Sequence, residues 1–204
     1  MSKKEELNKE IEEIWRILVI CKESFLYSQY LHQPDTDKER DYIEHSKDFL
    51  FIRHTLWRMT IVELTKLLRS SNSHRFNIFH FIKKMKIGEY YAPVPVSEQT
   101  ISKWEALLEE NKALIQDVVN LRDKLYAHTD PTNETYINPE LTFENTETLI
   151  KIIETVVQDI HFHVFDTEAI MQPLYFDKSR FNIIKILADE KERRITQIGN
   201  KNKC

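Results

Sequence analysis

The chain has 204 residues, of which only two are glycine and six are proline, while 41% are hydrophobic and 30% are charged. Sheet-rich proteins need more glycine at their turns and disordered chains contain fewer apolar residues, so this composition favours a folded helical protein. The formal net charge of -4 excludes a surface coated in positive charge, and with it indiscriminate binding of nucleic acid.

The first half of the chain predicts three helices. Ser2 is a good N-cap for a first helix that extends to about residue 31, because apolar residues recur at helical spacing over this range. Pro34 ends this helix. A second helix is predicted over residues 38–70. Because its middle is apolar on nearly every side, we expect it to be the most buried helix. A shorter helix over residues 75–87 ends at Gly88.

The second half of the chain predicts three more helices. One begins at Ser97 or Thr100 and ends at Ala127 or His128, because Pro131 prevents its continuation. The others are predicted over residues 142–165 and 178–195. The sequence therefore predicts an all-α bundle of five to six helices with long antiparallel core helices.

Domain organisation and compartment follow from length and composition. We predict a single helical domain over residues 1–195 and a flexible tail over residues 196–204. The two cysteines, Cys21 and Cys204, form neither a disulfide framework nor a metal cluster, which is typical of a reducing compartment. The first fifteen residues are charged and do not form the apolar core of a signal sequence, and no uncharged run approaches the ~20 residues that cross a bilayer. We therefore expect a cytoplasmic protein without membrane contact.

The strongest candidate for a functional site is the nine-residue run RDKLYAHTD at residues 122–130. Arg122 supplies a permanent cation with a rigid fork of donors that suits phosphate oxygens. His128 is the side chain type best able to move protons near neutral pH. An arginine and a histidine are sufficient to cleave a phosphodiester of RNA without a metal ion, because the 2′-hydroxyl is an internal nucleophile.

The spacing of this pair constrains the site. Residues six apart on an α-helix lie ~120° from each other, so Arg122 and His128 do not share a face. They border opposite edges of a narrow apolar stripe formed by Leu114, Val118, Leu121 and Leu125. Two arrangements remain open: two copies of the helix could meet across a two-fold axis, or the helix could unwind at Ala127 and let His128 turn inward.

The run from Leu121 to Asp130 resembles the RDK-x-x-AH-x-D sequence of the abortive-phage-infection (AbiU-type) branch of the HEPN superfamily. The resemblance implies a metal-independent endoribonuclease, needing no cofactor, with a composite site at a homodimer interface and a role as a defence or toxin component. Arg122 matches the family arginine, His128 the family histidine, and Asp123 the polar residue that follows the arginine. The implied partners are RNA, a second copy of the chain and a cognate regulatory protein.

In the implied reaction, His128 would deprotonate the 2′-hydroxyl or protonate the leaving 5′-oxygen, and Arg122 would neutralise the charge that grows on the phosphoryl oxygens. Four neighbours are candidates for supporting roles. Asp123 or Asp130 would orient the imidazole, while Lys124 or Tyr126 would hold a phosphate.

A plainer interpretation of the same residues remains open. Both cations are favoured at the C-terminus of a helix by the helix dipole alone. Some members of the superfamily have lost activity, so the alternative hypothesis is a non-catalytic binding or regulatory module that uses this helix as a dimer or partner interface.

A second candidate is a basic stretch over residues 64–88, which contains no acidic residue. Its cations could follow an RNA backbone while the phenylalanines between them stack on unpaired bases. The plainer interpretation, which the spacing of the aromatics favours, is a helix with a phenylalanine core face and a solvated lysine face. The candidate RNA-binding residues are Arg69, Arg75, Lys83, Lys84 and Lys86.

Metal binding is not expected. His161 and His163 are the most suggestive pair, but residues two apart on a helix point ~200° away from each other. The two glycines, Gly88 and Gly199, cannot form a glycine-rich nucleotide loop.

Overall fold

The structure is a computed structural model that describes residues 2–70, 76–127, 141–179 and 182–201, with the side chains of residues 125–127 and 199–201 left out. The described residues form eight α-helices and no strand, which confirms the predicted all-α class. Two short π-helical segments, Arg122–Ala127 and His161–Phe165, extend the sixth and seventh helices. The helices are α1 (Lys3–His32), α2 (Asp37–Glu44), α3 (Lys47–Leu68), α4 (Ile78–Met85), α5 (Glu98–Glu110), α6 (Lys112–Leu121), α7 (Phe143–Ile160) and α8 (Ile183–Lys201).

Three helix starts agree with the sequence prediction. The hydroxyl of Ser2 accepts a hydrogen bond from the N–H of Glu5, and the Glu5 carboxylate accepts one from the N–H of Ser2 in return. Ser97 rather than Thr100 caps α5, since its hydroxyl accepts from the Thr100 N–H at 3.1 Å. Thr142 caps α7 in the same way.

The prediction of a single helix over residues 38–70 is wrong, because this part of the chain forms two helices, α2 and α3. Thr36 and Glu39 form a reciprocal capping box that starts α2 earlier. Ser46 interrupts the helix, and its hydroxyl accepts a hydrogen bond from the Phe49 N–H at the start of α3. A serine inside a helical pattern offers the backbone this alternative partner.

The prediction that this region forms the most buried helix is also wrong. Phe51 and Ile52, in the first half of α3, are 71% and 40% exposed. Within α3, the buried residues lie between Thr60 and Leu68.

The helix predicted from Ser97 to Ala127 or His128 is divided as well. Asn111 leaves the helical conformation and its side-chain amide donates to the carbonyl of Leu107 at 2.9 Å, which separates α5 from α6. The last helix, α8, starts later than predicted and extends beyond the predicted end at residue 195 to Lys201.

Contacts divide the chain into two compact units, and a single domain over residues 1–195 stays a prediction. The first unit, residues 1–22 and 58–172, contains the start of α1, the end of α3, and α4 to α7. Its core is closed by Trp104 of α5, which is fully buried and donates from Nε1 to the Asp159 carboxylate of α7 at 2.9 Å. Phe81 and Ile11 are also fully buried in this unit.

The second unit, residues 23–57 and 173–204, packs α2 against α8. Its core is a cluster of Tyr30, Leu31, Ile43 and Ile184. The carboxylate of Glu23 anchors the segment before α8, because it accepts hydrogen bonds from three consecutive backbone N–H groups, those of residues 174–176.

Candidate functional site

The helix that carries the motif changes its winding where the motif begins. α6 ends at Leu121, and residues Arg122–Ala127 form a π-helical segment. Single π-helical turns within α-helices occur frequently at functional sites. The angle of ~120° between Arg122 and His128 assumed uniform α-helical winding, and this assumption is wrong for the residues between them.

The end of α6 holds the motif on a buried support. Val118 and Leu121 of the predicted apolar stripe are buried, Leu114 is half-buried, and Ile115 is buried beside them. The side chain of Leu125 lies outside the described residues. The buried residues fix the position of Arg122, which follows Leu121 directly.

The geometry of the site centres on the Asp123 carboxylate. Arg122 donates from Nη1 to Oδ1 of Asp123 at 2.8 Å. Arg69, which follows the last residue of α3, donates from its own Nη1 to the same Oδ1 at 3.0 Å. All three side chains are 33% exposed. Two guanidinium groups from distant parts of the sequence therefore converge on one oxygen atom of a side chain that is one-third exposed.

The electrostatics of this cluster keep Asp123 ionised. Partial burial alone would raise the pKa of Asp123, but the hydrogen bond from Arg122 and the positive charges of Arg69 and Arg122 outweigh it. The resulting pKa lies below its ordinary value. At neutral pH the cluster thus holds two cations and one anion.

The remaining residues of the motif are described only in part. Lys124 is exposed, and Tyr126 belongs to the π-helical segment, although its side chain is outside the described residues. His128 and Asp130 lie outside them altogether, as does Arg75 of the basic stretch. The juxtaposition of Arg122 with His128 therefore stays a prediction.

The basic stretch does not form one continuous surface of available cations. Lys84 pairs with the buried carboxylate of Glu10 at 2.7 Å, and Lys86 pairs with Glu105 at 2.6 Å. Lys83 is exposed. Phe81 is fully buried in the core, as the plainer interpretation expects. Among the described members of the stretch, the structure brings Arg69 to the motif.

A cleft in the first unit lies next to Glu10 rather than at the motif. It has a volume of about 580 Å³ and is lined by Glu6, Glu10, Glu12 and Glu13 of α1, together with Tyr90 and other side chains. Two lysines, Lys9 and Lys84, also line this cleft, but Lys84 is already paired with Glu10 and the carboxylates outnumber the cations, so the cleft is a poor site for a phosphate.

The histidines considered as metal ligands have different surroundings. His161 is half-buried, packs edge-on against Trp15 and contacts the Thr167 hydroxyl through Nδ1, whereas His163 is exposed. In the described part of the chain, no group of three histidine, cysteine, aspartate or glutamate side chains is placed to hold a metal ion. Among the helices that the structure describes, none is long and apolar enough to span a bilayer.

The all-α class and the Arg-Asp pair that directly follows α6 fit the HEPN-type domain that the motif resembles. The family model HEPN_AbiU2, described as AbiU2, matches residues 4–180, which include the whole motif. The chain therefore belongs to the HEPN_AbiU2 family, and the resemblance drawn from residues 121–130 is confirmed. No curated protein and no solved structure matches the chain.

Proposed function

We propose that this chain is a metal-independent endoribonuclease that acts as a defence or toxin component in the cytoplasm. The observation that carries the proposal is the cluster at the end of α6, where Arg122 is accessible and a second guanidinium lies beside it. Membership of the HEPN_AbiU2 family supports the same conclusion, because the matched region includes Arg122 and His128.

The proposed reaction is a transesterification within the RNA. The 2′-oxygen attacks the adjacent phosphorus, its proton passes to a base, and the bond from phosphorus to the 5′-oxygen breaks. His128 transfers a proton at one of these two oxygens, a role typically worth ~100- to ~10,000-fold in rate. Arg122 stabilises the negative charge that grows on the phosphoryl oxygens. The products are a 2′,3′-cyclic phosphate and a free 5′-hydroxyl.

The proposed site is shared by two copies of the chain. Arg122 of one protomer and His128 of its partner would meet across a two-fold axis, which gives two equivalent sites per dimer. A cognate regulatory protein would then control activity by covering or separating this interface.

Cleavage of single-stranded RNA in the presence of a chelator tests the proposal. The wild-type protein is expected to cut RNA and to leave cyclic-phosphate ends, while Arg122→Ala and His128→Ala lose cleavage and keep the helical circular dichroism of the wild type. His163→Ala is the matched control, since it removes an exposed histidine outside the motif. Equal cleavage by wild type and His128→Ala would refute the assignment, and a folded wild type that cuts no RNA would favour the binding module instead.

A further inference from the structure

The strongest unexplained feature of the first unit is the shared oxygen of Asp123. Arg69 and Arg122 are separated by more than fifty positions in the sequence, yet both donate to Oδ1 of this carboxylate. Two guanidinium groups repel each other, and the negative charge of Asp123 between them offsets this repulsion. The fold therefore maintains a place that favours an anion, and Asp123 fills it.

The carboxylate is held by contacts that another anion can replace. All three side chains are one-third exposed, and ion pairs with such exposure are weak because water screens them. A phosphate group offers guanidinium donors the same kind of oxygen acceptors as a carboxylate, and arginine binds both in fork-like geometry. A phosphodiester that reaches this point can take over both hydrogen bonds.

We infer that Arg69 and Arg122 form one clamp for a single phosphodiester of the RNA, and that Asp123 occupies the clamp until this phosphate displaces it. The inference rests on the proposed function and extends it, since it adds a phosphate-positioning residue, Arg69, from outside the motif. It also gives Asp123 the role of an internal competitor for substrate. An aspartate that only oriented the imidazole of His128 would not have this role.

Binding of an uncleavable probe tests the inference. The probe is a fluorescent single-stranded oligonucleotide made entirely of 2′-deoxynucleotides, which lacks the internal nucleophile, and its affinity is measured by anisotropy at low salt. Asp123→Asn should bind about two- to five-fold more tightly than wild type, the range expected when an exposed ion pair no longer competes. Arg69→Ala should bind more weakly.

The matched control separates competition from net charge. Glu109→Gln removes the same single negative charge and breaks the exposed ion pair with Lys112, away from the clamp. This variant should bind as wild type does, and any gain in its affinity should be smaller than that of Asp123→Asn. Equal or weaker binding by Asp123→Asn, an equal gain in Glu109→Gln, or unchanged binding by Arg69→Ala would overturn the inference.

A double-mutant cycle keeps the test valid if Asp123→Asn does not fold. When Arg69 and Arg122 hold one phosphate, the combined Arg69→Ala and Arg122→Ala protein should lose less affinity than the product of the two single losses. A full product of the two losses would assign the arginines to separate phosphates and contradict the clamp. A second experiment adds inorganic phosphate to the bound probe at matched ionic strength. Release of the probe by millimolar phosphate would show that the clamp also binds the free anion.

These outcomes are independent of catalysis. If RNA is not cleaved but the deoxy probe responds as described, the proposed nuclease function fails and the clamp stands. If RNA is cleaved but the probe does not respond to Asp123→Asn or Arg69→Ala, the clamp fails and the nuclease stands.

Discussion

Arg69 and Asp123 form an ion pair of 3.0 Å that joins the end of α3 to the start of the motif. The contact matters because the motif alone contains only one arginine, Arg122. Through Asp123, the fold adds a second guanidinium to the same place. The resulting effects on the free energy of unfolding and on RNA cleavage can each be measured.

The stability contributed by Asp123 should depend on pH. Its pKa is lower in the folded protein than its ordinary value, because the interactions with Arg122 and Arg69 outweigh partial burial. A carboxylate of this kind stabilises the fold above its unfolded pKa, and the contribution disappears as pH falls through the folded pKa. The unfolding free energy of wild type should therefore exceed that of Asp123→Asn at neutral pH.

The same comparison at acid pH provides the control. Urea denaturation of both proteins should give a difference that shrinks steadily below the ordinary pKa of an aspartate, near 3.8. A difference that stays constant into the acid range would mean that Asp123 stabilises the protein by some means other than its charge.

Lys84 should matter for stability and not for RNA binding. Its ammonium neutralises Glu10, whose side chain is 10% exposed and also accepts a hydrogen bond from the Tyr91 hydroxyl at 2.8 Å. Lys84→Ala leaves this carboxylate without its counter-charge, so we expect a loss of about 2 kcal/mol in unfolding free energy. Lys83→Ala, which removes the exposed neighbour in α4, should leave stability nearly unchanged.

Thermal or urea unfolding of the two variants makes this comparison directly. Equal stability of Lys84→Ala and Lys83→Ala would show that the Glu10 pair contributes nothing. A large drop in oligonucleotide affinity for Lys84→Ala alone would return this lysine to the RNA-binding surface.

Trp104 should hold α5 against α7 through both its ring and its indole N–H. The ring is fully buried, and the N–H donates to Asp159 at 2.9 Å. Trp104→Phe keeps an aromatic ring but leaves the carboxylate without this donor, which should cost about 1–3 kcal/mol. Asp159→Asn, which retains an acceptor oxygen, should cost less. Because Trp104→Phe also loses buried ring volume, the hydrogen bond itself is tested by Asp159→Ala, and unchanged stability of that variant would show that the bond does not stabilise this contact.

Local signals in the sequence predicted three of the helix starts. Ser2, Ser97 and Thr142 each precede a helix and accept a hydrogen bond from an N–H three residues later, which is a short-range effect of one side chain. The interruptions at Ser46 and Asn111 were missed. Both residues are compatible with a helix or with its end, and the flanking periodicity continues on either side.

Burial and the site depended on non-local contacts. An apolar pattern on several faces of residues 49–64 does not reveal which faces other elements cover, and Phe51 is largely exposed. The motif at Arg122 was found because its residues are adjacent in the sequence. The contact between the motif and Arg69 was not predicted, because nothing in the sequence indicates that the ends of α3 and α6 meet.

Mixed dimers provide the most direct test of the central claim. Differently tagged Arg122→Ala and His128→Ala chains are co-expressed, the dimers carrying both tags are purified, and RNA cleavage is measured in chelator. A site shared between protomers gives each mixed dimer one intact pair, so about half of the wild-type activity per dimer should return although each parent protein is inactive. Mixed dimers as inactive as their parents would contradict a composite ribonuclease site of Arg122 and His128.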